Sequence, residues 1–155
     1  MDGETGDGIG LGELDGLIGY HIRRASSVFG GTFVRAVTGT GLRQVPFGIL
    51  SVVAANPGIK QGAAGRALGI QRANMVALIN ELVDAGLVDR RAADDDRRAF
   101  ALSVTPRGAA LLEDCTRRIK EQEAELLADF DETERILLID LVRRIEAREA
   151  PTSAD

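Results

Sequence analysis

The sequence predicts a mostly helical α+β chain, in which a helix–turn–helix and a β-ribbon sit between long amphipathic helices. Three observations lead there. Apolar residues recur every three or four positions from Leu11, and again after Pro106. Two shorter helical patterns meet at the turn "LGIQ", Leu68 to Gln71. Directly after Gly86 the period drops to two, in "LVDR" and in "AFALSV".

Residues 1–10, "MDGETGDGIG", are acidic and glycine-rich and are expected to be disordered. From Leu11 to Gly41 the apolar positions Leu14, Leu17, Ile18, Ile22, Ala25, Val28, Phe29, Phe33 and Val37 mark one long helix, broken at "TGTG". A helix–turn–helix with its ribbon is expected over residues 42–105. It begins with "VPFGILSVVAA", whose Pro46 suits a first helical turn, and the turn "NPG" stops that helix. A short helix follows from about Lys60 to Leu68, then a second from about Arg72 to Ala85. The latter closes on Gly86, where a left-handed residue is wanted. Met75, Val76, Ile79, Leu82 and Val83 form its expected apolar side. "LVDR" and "AFALSV" then make a two-stranded ribbon, with Phe100, Leu102 and Val104 alternating. Over 106–149 two further helices follow. The first has Thr105 as N-cap and Pro106 at its first position, with Leu112, Cys115, Ile119, Leu126 and Phe130 as its stripe. Asp131 to Glu134 reads as a capping box for the second, which carries Ile136 to Ile145. Residues 150–155 are expected to be a flexible tail.

The 155 residues amount to one domain with helical extensions. Aromatics are only 4%, so aliphatic side chains must supply the core. No apolar run reaches the roughly 18–20 residues of a membrane span. The acidic start is unlike a secretory or mitochondrial leader, and a cytoplasmic protein is expected. The single cysteine excludes an internal disulfide and any multi-cysteine zinc site. The net charge of −5 is unevenly spread: residues 60–107 carry +2 and residues 108–155 carry −6.

The charge run "RRAADDDRRAF", Arg90 to Phe100, would ordinarily be a solvated loop. Its place between two alternating strands, just after a helix–turn–helix, makes it the tip of a wing. In such an arrangement the second helix enters the major groove of DNA and presents its N-terminal side chains to base edges. Asn74 can bond an adenine edge twice; Arg72 can reach guanine or a phosphate. Gln71, Ala73 and Ala77 lie beside them, within reach of the backbone or a thymine methyl. Arg97 and Arg98 suit the negative potential of the minor groove, and Asp96 orients an arginine by a charge-assisted hydrogen bond. Asp94 and Asp95 have no assigned contact. The competing reading leaves all of these as helix-surface and loop residues.

"GLVDRRAADDDRRAFALSVTPRG" resembles the signature of the MarR family of bacterial transcriptional regulators: Asp96, Arg98, an apolar ladder through Leu102 and Val104, then Thr105 and Gly108. Val104 replaces the usual leucine. "ELVDAGLVDR" resembles the family's link from recognition helix to wing, and "NPGIKQGAAGRALGI" its first DNA-binding helix. The resemblance covers roughly residues 11–148. It implies a winged-helix homodimer whose N- and C-terminal helices interlock while two wing domains grip a pseudo-palindromic operator. More apolar helix surface than one protomer can hide agrees with that. The resemblance further implies a small-molecule effector, an aromatic carboxylate or its coenzyme A thioester, between the first helices and the winged domain. His21, Arg24, Phe29, Arg43 and Phe47 are the candidates, as cations and aromatic walls for an anion; for His21 the alternative is a partly buried place at the dimer junction. Some relatives sense peroxide through a cysteine, but Cys115 lies on an apolar stripe and reads first as core.

No cofactor or metal is expected. One histidine and one cysteine leave few nucleophile–base pairs, and no phosphate-binding glycine motif occurs among the eighteen glycines. The consecutive Asp94 to Asp96 lack the alternate spacing of a calcium loop. An enzyme is therefore not expected. A protein-interaction module that has lost DNA binding remains the alternative from another class, supported by the net acidity.

Overall fold

Gly12 takes a positive φ of 58°, and Leu17 is extended at φ −96° and ψ 108°. Together they split the first apolar run. A 3-10 turn covers Gly12–Gly16, and α1 runs over Ile18–Val37 rather than starting at Leu11. Apolar spacing alone does not register a left-handed glycine. The computed structural model describes residues 9–93 and 96–148, without the side chains of 96–99. The expectations for residues 1–8, for Asp94 and Asp95, and for the tail from 149 onward lie outside the described residues. Ile9 and Gly10, from the stretch expected to be disordered, are exposed.

After α1 come α2 (Gln44–Ala55), β1 (Ile59–Lys60), α3 (Gln61–Ala67), α4 (Arg72–Asp84), β2 (Val88–Ala93), β3 (Asp96–Val104), α5 (Pro106–Leu126) and α6 (Glu132–Glu146). This is a winged helix–turn–helix with long flanking helices. The sheet has three strands in the order β1-β3-β2, all neighbours antiparallel. The expected ribbon is β2 and β3; β1 is an addition. Two residues are too few to show a period of two, so Ile59 and Lys60 become a strand only by facing Leu102 and Ala101.

The core is one aliphatic cluster: Ile49, Leu50 and Val53 of α2, Met75, Ile79 and Leu82 of α4, Val88, Leu102, and Cys115 of α5. Phe33 and Phe47 meet edge to face at 5.6 Å on its border. α1 packs along α5.

Three end signals place α4 and the wing. Gly86, at φ 68°, closes α4 in a Schellman motif. Its N–H bonds the Val83 carbonyl at 2.9 Å, and the Leu87 N–H bonds the Leu82 carbonyl at 2.9 Å. Thr105 then ties this turn to the next helix. Its Oγ1 donates to the Gly86 carbonyl at 2.7 Å and accepts the Gly108 N–H at 2.9 Å, as the N-cap of α5. Gly108 packs so closely on this junction that a Cβ there would strike the Leu87 carbonyl oxygen and Val104. Asp131 and Glu134 form the expected capping box of α6, at 2.9 and 2.8 Å.

Burial departs from the periodicity in four places. Val76 is exposed on α4, and Leu126 and Phe130 are exposed near the end of α5. No residue of α6 is buried; Ile136 is 62% exposed and Ile139 53%. α1 likewise shows Ile18 at 73%. Apart from Phe130, which follows α5, each is an apolar residue on an expected helix that the described elements of the protomer leave uncovered. The polar face of α5 is self-neutralised: Asp114 pairs with Arg117 at 2.6 Å and Arg118 at 2.8 Å, and these hydrogen bonds hold its carboxyl below the usual carboxylate range. Among the described residues, no helix is long and apolar enough to cross a membrane.

Candidate nucleic-acid interface

α4 stands out from the domain because only one of its faces is needed for the core. Met75, Ile79 and Leu82 point inward, while Gln71, Arg72, Ala73, Asn74 and Ala77 are all exposed. Gln71 is the extended N-cap, and no side chain caps the first turn. The positive end of the helix dipole and the first N–H groups therefore face outward. At 100° per residue, Ala73 and Ala77 occupy the middle of the outward face with Asn80 and Asp84. Two methyl-sized side chains there let a groove approach the helix closely.

Each flank of α4 borders a cleft. On one side Arg72 and Val76 meet α3 and Phe100 around a cleft of about 540 Å³, which Arg66 also lines. On the other, Asn74, Ala77 and Glu81 face Arg43 across a shallower cleft of about 760 Å³. Arg43 Nη2 lies 2.7 Å from Glu81 Oε1 and 2.5 Å from Oε2. This pair is exposed, so it contributes little to stability, but it offsets the charge of a carboxylate on α4.

The wing presents its residues through register. β2 and β3 pair Val88 with Val104, Arg90 with Leu102 and Ala92 with Phe100, and an irregularity between Ala92 and Ala93 precedes the pairing of Ala93 with Asp96. Asp96, Arg97 and Arg98 begin β3 at the far end of the ribbon from the core. Their side chains lie outside the described residues, so their contacts stay expectations.

The five candidates for an effector do not gather in one place. His21 Nε2 is 2.8 Å from the Asp15 carbonyl oxygen, and its ring is edge-on to Tyr20 at 5.3 Å. Arg24 donates to the Tyr20 hydroxyl at 3.4 Å, and the Arg23 and Arg24 guanidiniums lie over the Tyr20 ring at 5.5 and 5.7 Å. This makes a cationic, aromatic cluster on α1. Phe29 is half-buried further along the same helix. Phe47 instead packs on Phe33, and Arg43 is held by Glu81 on the recognition-helix side. Phe47 thus stays with the first helix through Phe33, one turn beyond Phe29, while Arg43 turns to Glu81 and His21 lies beside Tyr20.

Cys115 is 0% exposed within the core. We therefore expect a maleimide to label it only after denaturation, and hydrogen peroxide to leave DNA binding unchanged. Labelling of the native protein would revive the redox reading. Among the described residues no group of three or more His, Cys, Asp or Glu is placed to hold a metal ion.

Arg90 is a residue that the sequence reading passed over. Val88, Arg90 and Ala92 share one face of β2, so an arginine stands in an otherwise apolar row. That break in alternation was the available signal.

Residues 40–99 match the profile of the MarR family. A curated relative from Thauera aromatica, described as the candidate transcriptional regulatory protein for the hcr operon, is 32% identical over 145 residues, covering 93% of this chain and 87% of that one. The transcriptional repressor CouR bound to a 23-mer DNA duplex superposes with a TM-score of 0.85 at 30% identity, covering 89% of this chain and 98% of the other. CouR bound to p-coumaroyl-CoA superposes at 0.79, again at 30% identity, with 92% and 99% covered.

Proposed function

Because the chain belongs to the MarR family of transcriptional regulators, we propose that it works as a homodimeric repressor, gripping a pseudo-palindromic operator and releasing it when a small ligand binds. The observation that carries this is the outward row at the start of α4, Gln71, Arg72, Ala73, Asn74 and Ala77, set beside the β2–β3 wing. A relative of the same fold, at 30% identity, is a repressor bound to duplex DNA.

In this reading Arg72 and Asn74 meet base edges in the major groove, Ala73 and Ala77 admit the groove floor, and Gln71 meets the backbone. Arg97 and Arg98 occupy the minor groove, with Asp96 orienting an arginine. The second protomer docks through the apolar residues that α1, α5 and α6 leave uncovered, and this sets two half-sites about one helical turn apart. The −6 of residues 108–155 then belongs to the dimerisation end of the molecule, away from phosphate.

The effector is an aromatic acid or its coenzyme A thioester, a reading supported by the relative bound to p-coumaroyl-CoA. Its anionic part falls to His21 and Arg24 around Tyr20, and Phe29 supplies an apolar wall. Phe47 joins through its contact with Phe33 on α1, and Arg43 from the end of the α1–α2 turn. Occupation of this junction changes the spacing of the two wings, and a rigid-body shift is enough to lose the match to both half-sites.

Arg98→Ala is expected to weaken operator binding by about 1–3 kcal/mol and to lower the salt slope by about one. A gel-shift titration at several salt concentrations reads both, and unchanged binding would remove the wing from the interface. The acidic Glu81 and Asp84 on the recognition helix favour a second reading, a protein-interaction module without DNA binding. Passing the protein over the DNA upstream of its own gene separates the two: retention no better than on random DNA favours the module.

A further inference from the structure

Arg90 touches three elements at once. It belongs to β2, its Nη1 donates to Asn80 Oδ1 of α4 at 2.7 Å, and its guanidinium lies 4.8 Å from the centre of the Phe100 ring on β3. The register explains how. Phe100 faces Ala92, two residues beyond Arg90 on the same face of β2, so the two side chains meet as a diagonal cross-strand pair. Arg90 itself faces Leu102, which is fully buried. Its aliphatic stem thus starts from the core-facing row, while its charged end emerges beside the recognition helix.

We infer that Arg90 is a positioning residue, which locks the wing to the recognition helix by clamping Asn80 on one side and Phe100 on the other. The inference rests on reading α4 and the ribbon as two halves of one DNA reader. Those halves are linked covalently only by the short turn at Ala85–Leu87, and a two-stranded ribbon extending from the core is soft by itself. Neither Asn80 nor Phe100 is held by burial, since Phe100 is 44% exposed and Asn80 is exposed. Arg90 removes that freedom. It holds Arg97 and Arg98, further out on the same ribbon, at a set distance from Arg72 and Asn74, so that both grooves are met together.

The chemistry is specific to arginine. A planar guanidinium stacks on an aromatic face while donating in its own plane to an amide oxygen. A lysine ammonium keeps the charge and loses that geometry. A simple phosphate contact at this position would behave in the opposite way, tolerating lysine.

The test uses the full-length protein with Arg90→Lys, Phe100→Leu, Arg90→Ala, Asn80→Ala and the pair Arg90→Ala with Asn80→Ala. Amide hydrogen exchange without DNA is expected to quicken about tenfold across residues 88–104 in Arg90→Lys and Phe100→Leu, with α5 unchanged. Operator affinity is expected to fall about tenfold in each. The salt slope should fall too in Phe100→Leu, although no charge is removed, because a loosened wing leaves its phosphates. The Arg90→Ala loss should shrink in the Asn80→Ala background, as coupled partners require. Unchanged exchange in Arg90→Lys and Phe100→Leu would overturn the clamp. So would parental DNA binding by Arg90→Lys, which marks a phosphate contact only. If the parent protein itself bound no DNA, the DNA reading would fall, and the exchange result would still decide the clamp.

Discussion

Replacing Leu138 and Leu141 together by aspartate is expected to split the dimer into monomers and to lower operator affinity at least about a hundredfold. The two residues stand three apart on α6 and share a face. They are 36% and 43% exposed in the protomer, on a helix that buries nothing within its own chain. A self-complementary interface meets each substitution twice, so four carboxylates enter it. Each lost leucine also removes about 1.5–3 kcal/mol of apolar burial. Two half-sites then bind independently, and the advantage of tethering them disappears. Light scattering reads the mass and a gel shift the affinity. The wing domain lies elsewhere in the chain, so binding to a single half-site should be little changed. A variant that keeps dimer mass and full affinity would exclude α6 from the interface.

Gly108→Ala is expected to cost roughly 3 kcal/mol of stability, because the added methyl meets backbone. Its nearest neighbour would be the Leu87 carbonyl oxygen, with Val104 beside it. Neither is the free end of a flexible side chain. Relief requires α5 to move away from the turn after α4, and that motion strains the two hydrogen bonds of Thr105, to the Gly86 carbonyl and from the Gly108 N–H. For a chain of this size the midpoint of thermal unfolding should drop by about 6–12 °C. Operator binding should weaken as well, since this junction sets where the wing leaves the core. A midpoint within about a degree of the parent would show that the junction accommodates a methyl group. Alanine is otherwise the better helix former, so a loss here isolates the steric contact.

Most elements were legible because their signals are local. Apolar spacing marked α1, α2, α4, α5 and α6. Gly86, Thr105 and Asp131 marked their ends through hydrogen bonds that span three to five residues. The strand β1 was not legible, because its two residues acquire their state only from Leu102 and Ala101, more than forty positions away. The start of α1 was misplaced for a related reason: the φ of Gly12 is invisible to a count of apolar positions.

The site divides the same way. The outward row of Gln71, Arg72, Ala73, Asn74 and Ala77 followed from the period of one helix, whereas Asp96, Arg97 and Arg98, expected in the tip between the strands, begin β3 itself. Arg43 illustrates the limit. Type and position suggest an anion-binding role for it, but its pairing with Glu81, 38 residues on, could not be read from them. The same holds for Arg90, whose partners Asn80 and Phe100 come from two other elements.

The sequence by itself determined the order of the helices and of the two wing strands, the helix caps, the outward face of α4 and the apolar surplus of α1 and α6. Each depends on residues within a turn or two of one another. Only the tertiary structure decided the third strand, the pairing of Arg43 with Glu81 and the three-way contact of Arg90. Those depend on distances between elements, which packing of the core sets and local spacing does not encode.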